Sequence, residues 1–340
     1  PLRTLQPASA AVAARGDRAP LATDQLEKVR VTGEQMKFTT FSTGGENTST
    51  PPAENPQEDL PAFRGFDSMQ SFFVFFEARP TEELLDEIDR ASEIFTGAET
   101  VFLADSDSLV MKDAERLVAR VRERFPHARR VTSYARARTL KMLGPEKLGR
   151  LRDAGLTRVH VGLESGDPRT LKFLAKGTTP EQMVAGGLAA KEAGLELCYY
   201  VLIGAGGKDR LAEHARESAM VCNRARPDFI RLRTLVAQRG SALAEERAAG
   251  RYQRTSPRQK LEEVQLFISA LDLDQCELAS DHVTNNIWLE SRVVYGGVFG
   301  RLPEQQEEML AVLQQTREML ETAEGRVRDI TMLYDRGLIG

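Results

Sequence analysis

Apolar and polar positions alternate most clearly between residues 157 and 167, Thr-Arg-Val-His-Val-Gly-Leu-Glu-Ser-Gly-Asp. Val159, Val161 and Leu163 take every second place, which predicts a strand that opens into a turn at Glu164-Ser165-Gly166, ahead of Pro168. Just upstream, residues 144–154 predict a helix with Pro145 at its first position and Gly155 as its stop. The pairing of helix and strand recurs along the chain. Further strands are predicted at 100–105, 130–134, 195–203 and 228–233, and a short apolar run at 71–76 predicts a buried strand before them. Helical stripes lie between the strands. One runs through Leu84, Leu85, Ile88, Ala91 and Phe95 behind Thr81 as cap, and another through Leu117, Val118, Val121 and Phe125. Thr179-Pro-Glu-Gln182 has the form of a capping box, and Ser256 is placed as the cap of a later helix.

The strand starts recur at roughly thirty residues, the size of a βαβ unit. Alternation this regular implies a parallel sheet, closed or partly closed as a barrel. Five or six units rather than eight predict an incomplete TIM-like barrel over residues 70–255. Residues 1–69 read as a flexible, low-complexity segment, because 39–61 is rich in Ser, Thr, Gly, Asn, Pro and Glu. Residues 256–340 read as a helical C-terminal extension containing a polar island at 281–286 and an amphipathic helix at 304–322.

Composition adds little beyond this. The net charge of −4 and a charged fraction of 28% carry no general nucleic-acid footprint, so DNA is not expected as a partner. Cys198, Cys222 and Cys276 are odd in number and far apart, which argues against a disulfide framework and for a reducing compartment, the cytoplasm. No apolar run approaches the roughly 18 residues of a membrane span. A start at Pro1 reads as a fragment or processed product, and the arginines among Ala and Ser in residues 1–30 give a faint organellar-targeting flavour that Asp17, Asp24 and Glu27 oppose.

Several positions carry candidate chemistry. Glu164 stands where a strand opens into a loop, the place ligands occupy in parallel α/β folds, although a carboxylate there can simply pair with a neighbouring arginine. Asp105 and Asp107 close an earlier strand and are equally readable as helix caps. Gly204-Ala-Gly-Gly207 follows the strongest strand and is readable as a tight turn, a phosphate cradle or a cofactor contact. Asp281, His282 and Asn285 form a polar cluster readable as a substrate site. His160 points away from Val159 and Val161, which favours a structural or solvent role over catalysis. Residues 116–141 hold eight arginines and Lys141 against Glu123, which reads first as a solvated face and second as an RNA-binding stripe.

Taken in order, Glu164-Ser165-Gly166 after a strand, Lys176-Gly177, Ala193-Gly194 before the next strand and Gly204-Ala-Gly-Gly207 after it resemble the radical SAM superfamily, in the broad core class shared with tRNA methylthiotransferases. The resemblance spans residues 100–235 and implies an incomplete (β/α)6 barrel that holds S-adenosylmethionine across its mouth. It implies contacts from Asp105 and Asp107 to the methionine amino group, although Asp and Ser stand where the family has glycines. It implies ribose contacts from Glu164 and Ser165, and packing on adenine from the segment Ile203, Gly204 and Gly206. It lets Arg231 and Arg233 face the methionine carboxylate or the substrate. The side chains of Asp105, Glu164 and Arg233 and the backbone of Gly204 are thereby expected on one rim.

The family also implies a [4Fe–4S] cluster on a CxxxCxxC loop, and a reductant such as flavodoxin or ferredoxin. Residues 1–126 contain no cysteine, so that loop is absent from this sequence. The family reaction is reductive cleavage of S-adenosylmethionine for radical chemistry on an RNA or small-molecule substrate, and the chain as written is expected not to perform it. The alternatives are a cluster-less nucleoside-binding or scaffold protein and a phosphate-binding (β/α) enzyme.

Overall fold

A computed structural model describes residues 41–43, 76–104, 107–237, 240–323 and 325–335. The expected flexible segment 1–69 lies outside them except for β1 (Phe41–Thr43), which pairs antiparallel with β2 (Phe76–Ala78). The strand expected at 71–76 therefore falls within the described residues only at Phe76, and there it joins this small pair.

The central sheet is built as the thirty-residue spacing predicts. In chain order it contains β3 (Thr100–Leu103), β4 (Arg130–Tyr134), β5 (Arg158–Glu164), β6 (Glu196–Ile203), β7 (Phe229–Thr234) and β8 (Cys276–Ala279), all parallel and each beside the next. It is a partial TIM-like barrel. Helices fill the crossovers: α1 (Thr81–Ile94), α2 (Ala114–Arg124), α3 (Ala137–Ala154), α4 (Pro168–Phe173), α5 (Pro180–Glu192) and α6 (Leu211–Ala225). Helix α3 is two helices joined at Gly144 (φ 69°), so the expected start at Pro145 is real and a further stretch precedes it. The expected boxes at Thr179 and Ser256 both form, since each hydroxyl accepts the third amide and each glutamine returns the bond. Thr81 differs. Pro80 takes the cap position of α1, and the Thr81 hydroxyl donates instead to Asp113, 2.8 Å away.

Residues beyond 256 carry the expected α8 (Pro257–Ser269) and α9 (Gln306–Glu321), with the short α7 (Ala242–Ala248) before them. They also carry strands that a purely helical extension leaves out. Besides β8, there are β9 (Ile287–Leu289), β10 (Arg292–Tyr295), β11 (Phe299–Leu302) and β12 (Val327–Asp329), and the short α10 (Ile330–Asp335) follows. β11 runs antiparallel to β8 at the sheet edge, and β10-β9-β12 form a separate antiparallel sheet. These strands are three or four residues long and depend on distant pairing, so local alternation does not reveal them. A buried pair, Lys260 and Asp329 at 2.6 Å, ties α8 to β12.

Parallel strands are usually apolar on both faces because helices cover both. Here the helical layer packs against one face. Val159, Val161 and Leu163 of β5, Leu197 and Val201 of β6, and Ile230 and Leu232 of β7 pack into the helical layer, each at most 1% exposed. The opposite, concave face carries Arg158, His160 and Gly162, then Cys198 and Tyr200, then Phe229, Arg231 and Arg233, at matching register. The alternation seen in the sequence therefore separates a packed face from a lumen.

Candidate active site at the barrel mouth

Glu164 ends β5 across a break in the ladder between Gly162 and Glu164, and its backbone is left-handed (φ 59°). The side chain turns back over Gly162, where a Cβ would lie 2.2 Å from Glu164 Oε1 and 2.9 Å from Lys176 Nζ. The lysine donates to Oε1 at 2.9 Å. A carboxylate thus lies over the concave face because residue 162 has no side chain. The plain reading expects a neighbouring arginine as partner; the partner present is instead Lys176.

Ser165 faces the other way. It is fully buried, its hydroxyl lies 2.7 Å from His214 Nδ1, and it accepts the amide of Asp167 at 3.0 Å. His214 Nε2 is 3.2 Å from Glu263 Oε1, which in turn accepts the Gly204 amide at 2.7 Å. The hydroxyl of Tyr252 donates to the Gly204 carbonyl at 2.8 Å. Ser165 and Gly204, at the ends of neighbouring strands, are therefore joined through α6 and α8. Both polar groups of the Gly204 peptide are used internally, and the amide a phosphate would bind is held by a carboxylate.

Ile203 is 2% exposed and packs into the helical layer, so only its backbone faces the mouth. At Gly206 a Cβ would meet the Arg210 carbonyl oxygen at 2.7 Å and His214 Cβ at 2.8 Å, which makes this glycine a point of close packing against α6. Asp167 caps α4 and is gripped by Arg210 at 2.6 and 2.9 Å. Burial would raise its carboxyl, but Arg210 and the Thr170 hydroxyl and amide outweigh burial and hold it well below the usual range.

Asp105 lies outside the described residues. Asp107 is buried and accepts the Arg136 amide at 3.2 Å and the Thr139 hydroxyl, so it caps α3 across the loop. Arg233 stacks over Tyr200, 5.4 Å from the ring centre, and Arg231 reaches Asp281 at 3.9 Å. The polar island is brought to the end of β7. Asn285 donates to the carbonyls of Leu232 and Ser280 and accepts from Thr234, a structural staple, while His282 bonds to Thr284 within its own turn.

Other concave-face residues carry no motif. Phe102, Tyr134, His160 and Tyr200 form a strip of ring contacts with centres 4.7 to 6.1 Å apart. His160 is buried, and its Nδ1 lies 3.2 Å from the Tyr200 hydroxyl, so it is not a solvent-facing histidine. Burial, then Arg158, Arg231, Arg130 and Arg233, push its imidazole down to about 3. The sequence signal was the shared parity of Arg158 with His160, Cys198 with Tyr200, and Arg231 with Arg233. In the basic run 116–141, Arg116, Arg120 and Arg124 are paired with Glu82, Asp89 and Glu123.

Residues 64–217 match the radical SAM superfamily. That segment is a radical SAM domain. No curated protein matches the chain. Among solved structures, the archaeal Methanocaldococcus infernus Elp3 with an N-terminal deletion is similar at 13% identity and TM-score 0.46, over 75% of this chain and 63% of that one. Methylornithine synthase (PylB) is similar at 18% identity and TM-score 0.42, over 59% and 57%. Coproporphyrinogen III oxidase (HemN) from Escherichia coli is similar at 19% identity and TM-score 0.45, over 55% and 44%. The chain thus spans less than two thirds of the length of each.

Radical SAM membership implies S-adenosylmethionine and a [4Fe–4S] cluster, and the residues present fit the first better than the second. Cluster ligands are thiolates converging on one site. Cys198 lies on the concave face in register with Phe229, and Phe229 is in register with Glu277, so Cys276 faces the helical layer on the other side. Cys276 is also in the sixth parallel strand of the sheet rather than beyond the barrel. Cys222 sits in α6, and all three thiols are buried. Burial pushes the Cys198 thiol up to about 11 and raises the other two, which disfavours thiolate in each. Among the described residues no three Cys, His, Asp or Glu side chains converge as a metal-ligand set. The donor set does not fit a cluster. No described helix is long and apolar enough to cross a membrane.

Proposed function

We propose that the radical SAM domain of this chain binds the nucleoside part of S-adenosylmethionine at its mouth, with Glu164 accepting the ribose hydroxyls, and that the chain as written does not cleave the cofactor reductively. The observation that carries this reading is the placement of Glu164. The left-handed end of β5 and the bare Gly162 hold its carboxylate over the concave face, and Lys176 leaves Oε2 as a further acceptor. The backbone of the 203–206 segment lies on the same rim but offers no free group at Gly204, so adenine recognition there rests on packing. Glu263 at the Gly204 amide also disfavours the phosphate-cradle alternative.

Titration calorimetry with S-adenosylhomocysteine tests the pocket. Heat from the wild type, lost in Glu164→Ala, is the expected result, while equal heats or none from either protein would reject the assignment. Anaerobic reconstitution with iron and sulfide tests the second half. No stable cluster and no 5′-deoxyadenosine under strong reductant are expected, and about four irons per chain with a reduced-cluster paramagnetic signal would overturn it.

A further inference from the structure

The concave face gathers positive charge that carboxylates match only in part. Arg130, Arg158, Arg231 and Arg233 all act on His160. Arg158 is buried, pairs with Glu196 at 2.8 Å and lies over the Phe229 ring at 3.5 Å. Arg231 has Asp281 at 3.9 Å. Arg130 and Arg233 have no carboxylate in ion-pair contact among the described residues, although both are partly buried. A partly buried guanidinium without a counter-ion keeps its desolvation cost, and an anionic ligand removes it. Burial is the first cause that weakens proton binding at both groups; neighbouring arginines add to it, while Glu196 and Glu277 at Arg130, and Tyr200 and Asp281 at Arg233, act the other way from beyond ion-pair distance.

Between these cations runs the aromatic strip Phe102, Tyr134, His160 and Tyr200, with Tyr134 exposed at 37% and Arg233 stacked on Tyr200. His160 stays neutral at physiological pH, so the strip presents flat ring surface between the cationic groups. Rings with guanidinium groups beside them suit a flat, negatively charged molecule.

We propose that the concave face of this barrel binds a planar small-molecule substrate bearing a carboxylate or phosphate, stacked on the Tyr134–His160–Tyr200 strip, with Arg130 and Arg233 as the anion-binding residues. The inference rests on the proposed function in placing the substrate on the concave face, but it does not depend on Glu164. A long RNA is the less favoured occupant, because Arg116, Arg120 and Arg124 of the exterior basic run are already paired with carboxylates of α1 and α2.

The test is calorimetry with 2-naphthoate and 2-naphthyl phosphate as anionic probes and 2-naphthalenemethanol as their neutral isostere, each with and without saturating S-adenosylhomocysteine. The anionic probes are expected to bind at least about tenfold tighter than the alcohol, and the Arg130→Gln/Arg233→Gln double variant is expected to lose that difference. Arg233→Lys, which keeps the charge, is expected to retain most of it and controls for damage to the fold. The better of the two anionic probes identifies the acid group. Equal affinity of all three probes, or undiminished anion binding by the double variant, would overturn the inference. Because S-adenosylhomocysteine is titrated separately, loss of its heat alone strikes the nucleoside pocket, and loss of the naphthoate heat alone strikes the anion site.

Discussion

His214 Nε2 lies 3.2 Å from Glu263 Oε1, and neither side chain is exposed to solvent. Through this contact, two helices far apart in sequence fix the ends of β5 and β6, since His214 also meets Ser165 and Glu263 also accepts the Gly204 amide. The shape of the mouth is thus set from behind, by fully buried residues.

Glu263→Leu should be among the most damaging single changes. It leaves the Gly204 amide buried without an acceptor and removes the carboxylate beside His214, at about 2–5 kcal/mol. Glu263→Gln keeps an acceptor oxygen for the amide and should lose less. Urea denaturation of the two variants checks this, and coincident midpoints would contradict it.

Two glycines two strand positions and a turn apart should behave differently. At Gly166 a Cβ would lie 2.1 Å from the Glu217 carbonyl oxygen and 2.5 Å from the Ser218 nitrogen, which are backbone atoms of α6 that move only with the helix. At Gly162 it meets only the tips of Glu164 and Lys176, which can swing away. Gly166→Ala is expected to cost about 2 kcal/mol or more, and Gly162→Ala about 1 kcal/mol or less. Gly162→Ala should nevertheless abolish the heat of S-adenosylhomocysteine binding by displacing Glu164. Thermal unfolding and calorimetry on the pair separate the two effects, and undisturbed binding by a folded Gly162→Ala would remove Glu164 from the pocket.

His160 gives the fold an acid sensitivity. Its imidazole is held at about 3 in the folded chain against an ordinary 6.5. Between those values the unfolded chain takes up a proton that the folded chain refuses. The contribution is therefore complete above pH 6.5 and is lost as pH falls, by about 1.4 kcal/mol per unit. Between pH 6.5 and 5 the wild type should lose about 2 kcal/mol more than His160→Phe, which keeps a ring in the strip but cannot be protonated. Parallel stability–pH curves from denaturant titrations would show that His160 is protonated in the native state.

What the sequence determined about this protein is whatever short-range periodicity and local capping express. The repeat of helix and strand, the boxes at Thr179 and Ser256, the stop at Gly155 and the carboxylate at the end of β5 all depend on residues within a few positions of one another. The motif order from Glu164 to Gly207 was enough to reach the family as well. Tertiary structure decided the rest. It paired the three- and four-residue strands beyond 276, whose partners lie far along the chain and whose own residues alternate too briefly to show. It assigned Ser165, Ile203 and Gly206 to packing and buried hydrogen bonds, because which side of a strand end faces the mouth depends on the helices behind it. Above all it gathered Arg130, Arg158, His160, Tyr200, Arg231 and Arg233 from four strands onto one face. Parity within a strand places its members two by two on one side, but strand register and barrel curvature, which are long-range properties, bring the strands' contributions together.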